Sequence, residues 1–213
     1  MDFASAIQAC PLIAILRGIT PDEVRDISDV LVEAGIRIIE VPLNSPDPLV
    51  SIERLVRRHG EFVLVGAGTV MTPEDVIDVR DAGGELIVSP HFASDVIDEA
   101  KSQKLYCVPG AATPTEGFNA LASGADALKL FPAEAMPPKI VKAWRAVFPA
   151  GTRLLPVGGI SEENMETYMA AGASGFGIGS SLYAPGRSAS EVGNLATSLV
   201  SAVAGAHGNR CGH

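Results

Sequence analysis

The chain has 213 residues, 47% hydrophobic and 19% charged, with a formal net charge of −9. That length suits one domain with a large core, and such a composition excludes intrinsic disorder. With 16 Lys plus Arg against 25 Asp plus Glu, and no basic run longer than Arg57-Arg58, the chain lacks the footprint of a nucleic-acid binder, although a pocket's local field can still take a small anion.

The first sixteen residues carry no positive segment ahead of their apolar run and make a poor signal peptide. No later run approaches the ~18 apolar residues of a membrane span. LIAILR from Leu12 is the first predicted strand, ending at Arg17. Thr20-Pro21-Asp22-Glu23 then offers a helix cap, a proline at the first helical position and a glutamate three residues after the cap. Ala34-Gly35 stops that helix, because glycine takes the left-handed conformation at a helix end. IRIIEV from Ile36 and FVLVGA from Phe62 are the second and third strands. Thr72-Pro73-Glu74-Asp75 and Ala82-Gly83 bracket the helix that follows. ELIVSP from Glu85 and LYCVPG from Leu105 are the fourth and fifth strands, before a helix from Thr113-Pro114-Thr115-Glu116 to Ser123-Gly124. DALKLF from Asp126 and TRLLPV from Thr152 are the sixth and seventh. A looser cap, Ser161-Glu162-Glu163-Asn164, and a stop at Ala171-Gly172 precede SGFGIG from Ser174, the eighth.

Short apolar runs between such stops read as strands buried on both faces, as in parallel sheets. Eight αβ units with no linker predict an α/β fold, a single (β/α)8 TIM barrel over residues 1–206, with a flexible tail at 207–213. An open doubly wound sheet is the alternative. The even spacing and the lack of a polar edge strand favour closure.

Barrel enzymes place their chemistry at the C-terminal ends of the strands. Lys129, within Ala127-Leu128-Lys129-Leu130-Phe131, shares a face with Ala127 and Phe131. Burial lowers a lysine's pKa and frees the amine to attack a carbonyl, while a structural ion pair is the plain alternative. Glu40 shares a face with Ile36 and Ile38, where apolar surroundings suit a proton shuttle or, equally, a partner for a nearby cation. Arg17 ends the first strand and can grip a carboxylate or phosphate, or pair with Glu40. Thr69, after Gly66-Ala67-Gly68, can bond a ligand or cap a helix, although Thr72 fits the cap better. Val157-Gly158-Gly159-Ile160 and Gly175-Phe176-Gly177-Ile178-Gly179-Ser180 put glycine loops after the seventh and eighth strands, a frequent place for phosphate. Gly158, Gly159, Gly179 and Ser180 are the residues named for it. The second run lacks the G-x-G-x-x-G spacing of a dinucleotide turn.

Three widely spaced cysteines, Cys10, Cys107 and Cys211, form no disulfide framework and fit a cytoplasmic protein with reduced thiols. Four histidines, His59, His91, His207 and His213, show no metal-ligand spacing. His59 suits a helix end, and His91 is a marginal candidate for the pocket wall. No metal or cofactor is called for.

PLIAILRGITPDE from Pro11, V-P-L-N-S-P from Val41, GAGTV from Gly66, ALKLFPA from Ala127, VGGI from Val157 and GIGSSLY from Gly177 together resemble the class I 2-keto-3-deoxy-6-phospho-sugar-acid aldolases, the KDPG/KHG aldolase family. The resemblance runs from about Pro11 to Tyr183. It implies a lyase that forms a Schiff base at Lys129, uses Glu40 as acid and base, places Arg17 and Thr69 near the pyruvyl end, and binds phosphate at Gly158, Gly159, Gly179 and Ser180. It also implies a phosphorylated 2-keto-3-deoxy sugar acid and pyruvate as small-molecule partners, and a homotrimer. Gluconate-specific relatives usually carry an arginine where this chain has Asn44, which points to the galactonate branch with Arg17 taking over the carboxylate. The gluconate epimer, a phosphosugar isomerase or epimerase barrel, and a non-enzymatic metabolite sensor are the alternatives.

Overall fold

The computed structural model describes residues 1–208. Its strands are β1 (Leu12–Ile15), β2 (Ile38–Pro42), β3 (Leu64–Gly68), β4 (Leu86–Val88), β5 (Tyr106–Val108, resuming at Gly110–Ala111), β6 (Leu128–Leu130), β7 (Leu154–Pro156) and β8 (Phe176–Ile178). Every strand pairing is parallel. One arc runs β5-β4-β3-β2-β1-β8, and a second runs from the far half of β5 through β6 to β7. Pro109, which has no amide hydrogen to give to a ladder, breaks β5 between the arcs, and its carbonyl still accepts from Lys129 N at 2.9 Å. The arcs meet again between β7 and β8, where Ser174 N donates to Leu154 O at 2.8 Å and Val157 bridges Gly177. The result is the (β/α)8 barrel that the sequence predicts.

Each expected strand is present, with tighter ends. The third begins at Leu64, leaving Phe62 exposed. Helices α2 (Val24–Glu33), α3 (Pro48–His59), α4 (Pro73–Asp81), α5 (Ser94–Ser102), α6 (Pro114–Ala122), α7 (Pro138–Arg145), α8 (Glu162–Ala171) and α9 (Ala189–Gly208) wrap the strands. Capping boxes form as expected at Thr72 with Asp75 and at Thr113 with Glu116. At Thr20 only half of the box forms. The Glu23 carboxylate accepts from Thr20 N and Oγ1, and residues 21–23 stay a turn, so α2 starts at Val24. All four expected stops hold, with φ of +105° at Gly35, +87° at Gly83, +96° at Gly124 and +109° at Gly172. α9 packs against α2 and α8 and completes the ring. It continues through Gly208. The remainder of the segment expected as a tail, with Cys211 and His213, lies outside the described residues.

Side chains alternate between two cores, as the period of a strand requires. Leu12, Ala14, Ile39, Val41, Leu128 and Leu130 face the helices. Ile13, Ile38, Leu64, Leu86, Ala127 and Leu155 face the barrel axis. A further helix, α1 (Phe3–Ala9), is capped by Asp2, whose carboxylate accepts from Ser5 N at 2.9 Å. Its buried face, Phe3, Ala6 and Ile7, packs on the inward residues at the bottom of the barrel. Phe3 stacks on Tyr106 with ring centroids 5.8 Å apart. The barrel therefore has a closed, apolar floor.

Candidate active site

One layer above that floor the inward positions change character. Glu40 follows Ile38 by two residues, and Lys129 follows Ala127 by two. Both ionisable groups are buried, Glu40 to 2% exposure and Lys129 to 6%. Burial pushes the Lys129 ammonium below the ordinary lysine range, the Glu40 charge pulls it back up, and the Arg17 charge pushes it down again. Burial likewise raises the Glu40 carboxyl, opposed by the charges of Lys129 and Arg17. The Glu40 Oε2 atom is fully buried and has no hydrogen-bond partner. Lys129 Nζ stands 4.8 Å from the centroid of the Phe131 ring, two residues on and just past the end of β6.

Glu40 owes its place to Gly68. A β-carbon at Gly68 would collide with the Glu40 carboxylate, so only glycine leaves room for it there. The following residue, Thr69, is held at φ +58°. A β-branched residue in the left-handed region costs on the order of 1–3 kcal/mol, which a packed fold tolerates most readily where the side chain has work to do.

A cavity of about 390 Å³ opens above Lys129. Of the eight predicted site residues it brings together six, Arg17, Lys129, Gly158, Gly159, Gly179 and Ser180. Glu40 lies beneath the cavity wall rather than on it, coupled to Lys129 and Arg17 through charge. Thr69 does not line the cavity either, and His91 is exposed outside it. Ile15, Phe131, Val157, Ser161 and Ser181 line it without having been singled out. Of these, Phe131 is where period-two counting puts it, on the same face as Lys129. Ser161 reads as a helix cap, which hides its place on the rim.

The glycine loop after β8 adjoins the exit of β1, while the Arg17 guanidinium reaches away from it toward Asn44 at the exit of β2. Gly158 has φ +104° and Gly159 φ +62°, and the Glu134 side chain fills the space that β-carbons would need at both. Nothing stands within 4 Å of a β-carbon position at Gly179. Ser181 Oγ donates to Ile160 O at 2.8 Å, clasping the loop after β8 to the loop after β7. The glycine loops offer backbone amides and hydroxyls, and Arg17 and Lys129 a guanidinium and an amine, so the cavity suits an anionic ligand with a carbonyl near Lys129.

A larger cleft, about 520 Å³, lies between α2 and α3 and carries Arg25, Arg54, Arg57 and Arg58. Asp22, Glu53 and Asp29 already pair with the last three, so its charge is largely compensated at the surface.

A family model described as KDPG and KHG aldolase matches residues 3–195. A Rhizobium meliloti (strain 1021) protein named probable 2-dehydro-3-deoxy-6-phosphogalactonate aldolase is 44% identical over 200 residues, 94% of each chain. A solved structure described as native KDPGal is similar with a TM-score of 0.92 and 43% identity, over 93% of this chain and 96% of that one. A KDPG aldolase from Legionella pneumophila, with pyruvate captured at low pH as a covalent carbinolamine intermediate, gives a TM-score of 0.84 at 26% identity, over 94% of this chain and 98% of that one.

Proposed function

The chain belongs to the KDPG and KHG aldolase family, and from that premise we propose that it cleaves 2-dehydro-3-deoxy-6-phospho-D-galactonate to pyruvate and D-glyceraldehyde 3-phosphate through an imine at Lys129. The observation that carries the reading is a lysine whose charge is disfavoured by burial, beside a buried carboxyl, at the bottom of a cavity lined by Arg17 and the glycine loops.

Neutral Lys129 attacks the C2 ketone. Glu40, beneath the cavity wall, passes protons through water to the carbinolamine oxygen, and water leaves to give the iminium. By the same relay Glu40 takes the C4 hydroxyl proton, the C3–C4 bond breaks, and its electron pair moves into the iminium to form an enamine. The aldehyde phosphate departs. Protonation at C3 and hydrolysis release pyruvate and return the amine. The unpartnered Glu40 Oε2 fits this duty, because a carboxyl without a fixed partner can take and give a proton without breaking a bond. Arg17 grips the substrate carboxylate, Thr69 assists at the pyruvyl end, and Gly158, Gly159, Gly179 and Ser180 hold the phosphate. Phosphate binding remote from the breaking bond orients the chain of the substrate. The same reading includes one domain over residues 1–206, a homotrimer and a cytoplasmic setting. Among the described residues no helix is long and apolar enough to cross a membrane.

Incubation with pyruvate followed by sodium borohydride adds a pyruvyl mass to Lys129, located by peptide mass spectrometry. Cleavage of the galactonate epimer exceeds that of the gluconate epimer. An intact protein that binds pyruvate with no adduct overturns the imine. An adduct on another lysine overturns the site, and faster turnover of the gluconate epimer overturns the substrate.

A further inference from the structure

Arg17 is held from the side. Its Nη1 donates to Asn44 Oδ1 at 2.8 Å, and the next backbone amide, Gly18 N, donates to Ser45 Oγ at 2.9 Å. Two adjacent bonds thus tie the exit of β1 to the exit of β2. Ser45 is buried, whereas Arg17 and Asn44 are exposed at the mouth. Gly18 has φ +82°, and Pro185 stands against the position where its β-carbon would be, so the loop is backed on that side too. Arginine has no acceptor, so only the amide oxygen of Asn44 can face it. The choice of an amide has a consequence. A neutral acceptor aims the guanidinium while leaving its charge uncompensated, whereas a carboxylate at the same place would occupy the charge itself.

We propose that Asn44 and Ser45 are positioning residues that act through Arg17. Asn44 aims the guanidinium over the cavity, Ser45 fixes the backbone beneath it, and together they set the affinity for the carboxylate end of the substrate. This rests on the reading of Arg17 as the carboxylate-binding residue. A long exposed arginine loses much rotamer freedom when a ligand fixes it, and a guanidinium already fixed loses less at the moment of binding.

The test is steady-state kinetics in the condensation direction, varying pyruvate at saturating glyceraldehyde 3-phosphate. Asn44→Ala and Ser45→Ala raise the KM for pyruvate, by roughly tenfold for Asn44→Ala, with kcat unchanged; the melting temperature holds in Asn44→Ala and falls by a few degrees in Ser45→Ala, which leaves the Gly18 amide without its acceptor. Asn44→Asp, which keeps an acceptor for Arg17 but adds a charge, also raises the KM. In the Arg17→Ala background, Asn44→Ala adds nothing further. An additive effect there, or a wild-type KM in Asn44→Ala, overturns the proposal. So does an Asn44→Asp variant that binds pyruvate as well as wild type. A wild-type KM in Arg17→Ala instead overturns the carboxylate reading on which the proposal rests.

Discussion

At the floor of the barrel, Phe3 and Ile7 of α1 meet Ile13, Ile38, Ala127 and Leu155; two residues further along the same strands stand Ile15, Glu40, Lys129 and Val157. One layer is held by apolar burial alone. The next contains two ionisable groups that burial disfavours. The layers depend on each other. A dry floor is what keeps Lys129 and Glu40 poorly solvated from below, and poor solvation is what moves their proton affinities toward each other. Stability and reactivity are therefore separated by about one strand repeat, and substitutions in the two layers have opposite signatures.

The largest effect is expected at Lys129. Lys129→Ala removes the nucleophile and brings cleavage to background, while circular dichroism and the melting transition report a folded barrel. Glu40→Gln comes next, with a loss of about 10²–10⁴ in kcat. It also removes the charge that pulls the Lys129 pKa upward, so the acid limb of imine formation moves to lower pH, visible in the pH profile of borohydride trapping. The mirror case is Phe3→Ala. It costs about 3–5 kcal/mol of stability by chemical denaturation. The fraction still folded keeps its kcat, and a large loss there would show that floor and mouth are not separable.

Replacing the buried pair by Lys129→Met with Glu40→Met sharpens the comparison from the other side. A raised Glu40 contributes stability at low pH that is lost as pH rises through its raised value. A lowered Lys129 contributes stability at high pH that is lost as pH falls through its lowered value. Near neutral pH the double variant, free of both costs, is expected to gain about 1–4 kcal/mol. The smallest effect is at the glycine loops. Ser180→Ala raises the KM for the phosphorylated substrate only about two- to tenfold, because one hydroxyl donor is lost while the backbone donors around the phosphate remain.

Much of this was legible in the sequence because its signals are local. Thr72 and Thr113 name their own partners three residues on, and a glycine after a helix needs only its own φ. Lys129 and Glu40 stood out as charges in apolar strands. What stayed hidden depends on contacts between distant segments. The Asn44 bond to Arg17 spans 27 residues. The helical nature of residues 3–9, and their place under the barrel, were not visible in a stretch that the sequence marks only as a poor signal peptide. The half-formed box at Thr20 shows the limit of local grammar. The motif is complete in sequence, yet the following turn takes another course before α2 begins.

The helix beneath the barrel has one more consequence. With the lower opening plugged by Phe3, the cavity above Lys129 is reached from the mouth of the barrel. The proposed cycle expels one water when the imine forms and consumes one when pyruvate is set free. Both must pass by the route that the sugar acid enters and the aldehyde leaves. In the proposed cycle the aldehyde phosphate, while held at the glycine loops, keeps bulk water away from the enamine. Its departure then admits the water that ends the turnover, so in this cycle the aldehyde leaves before pyruvate is freed.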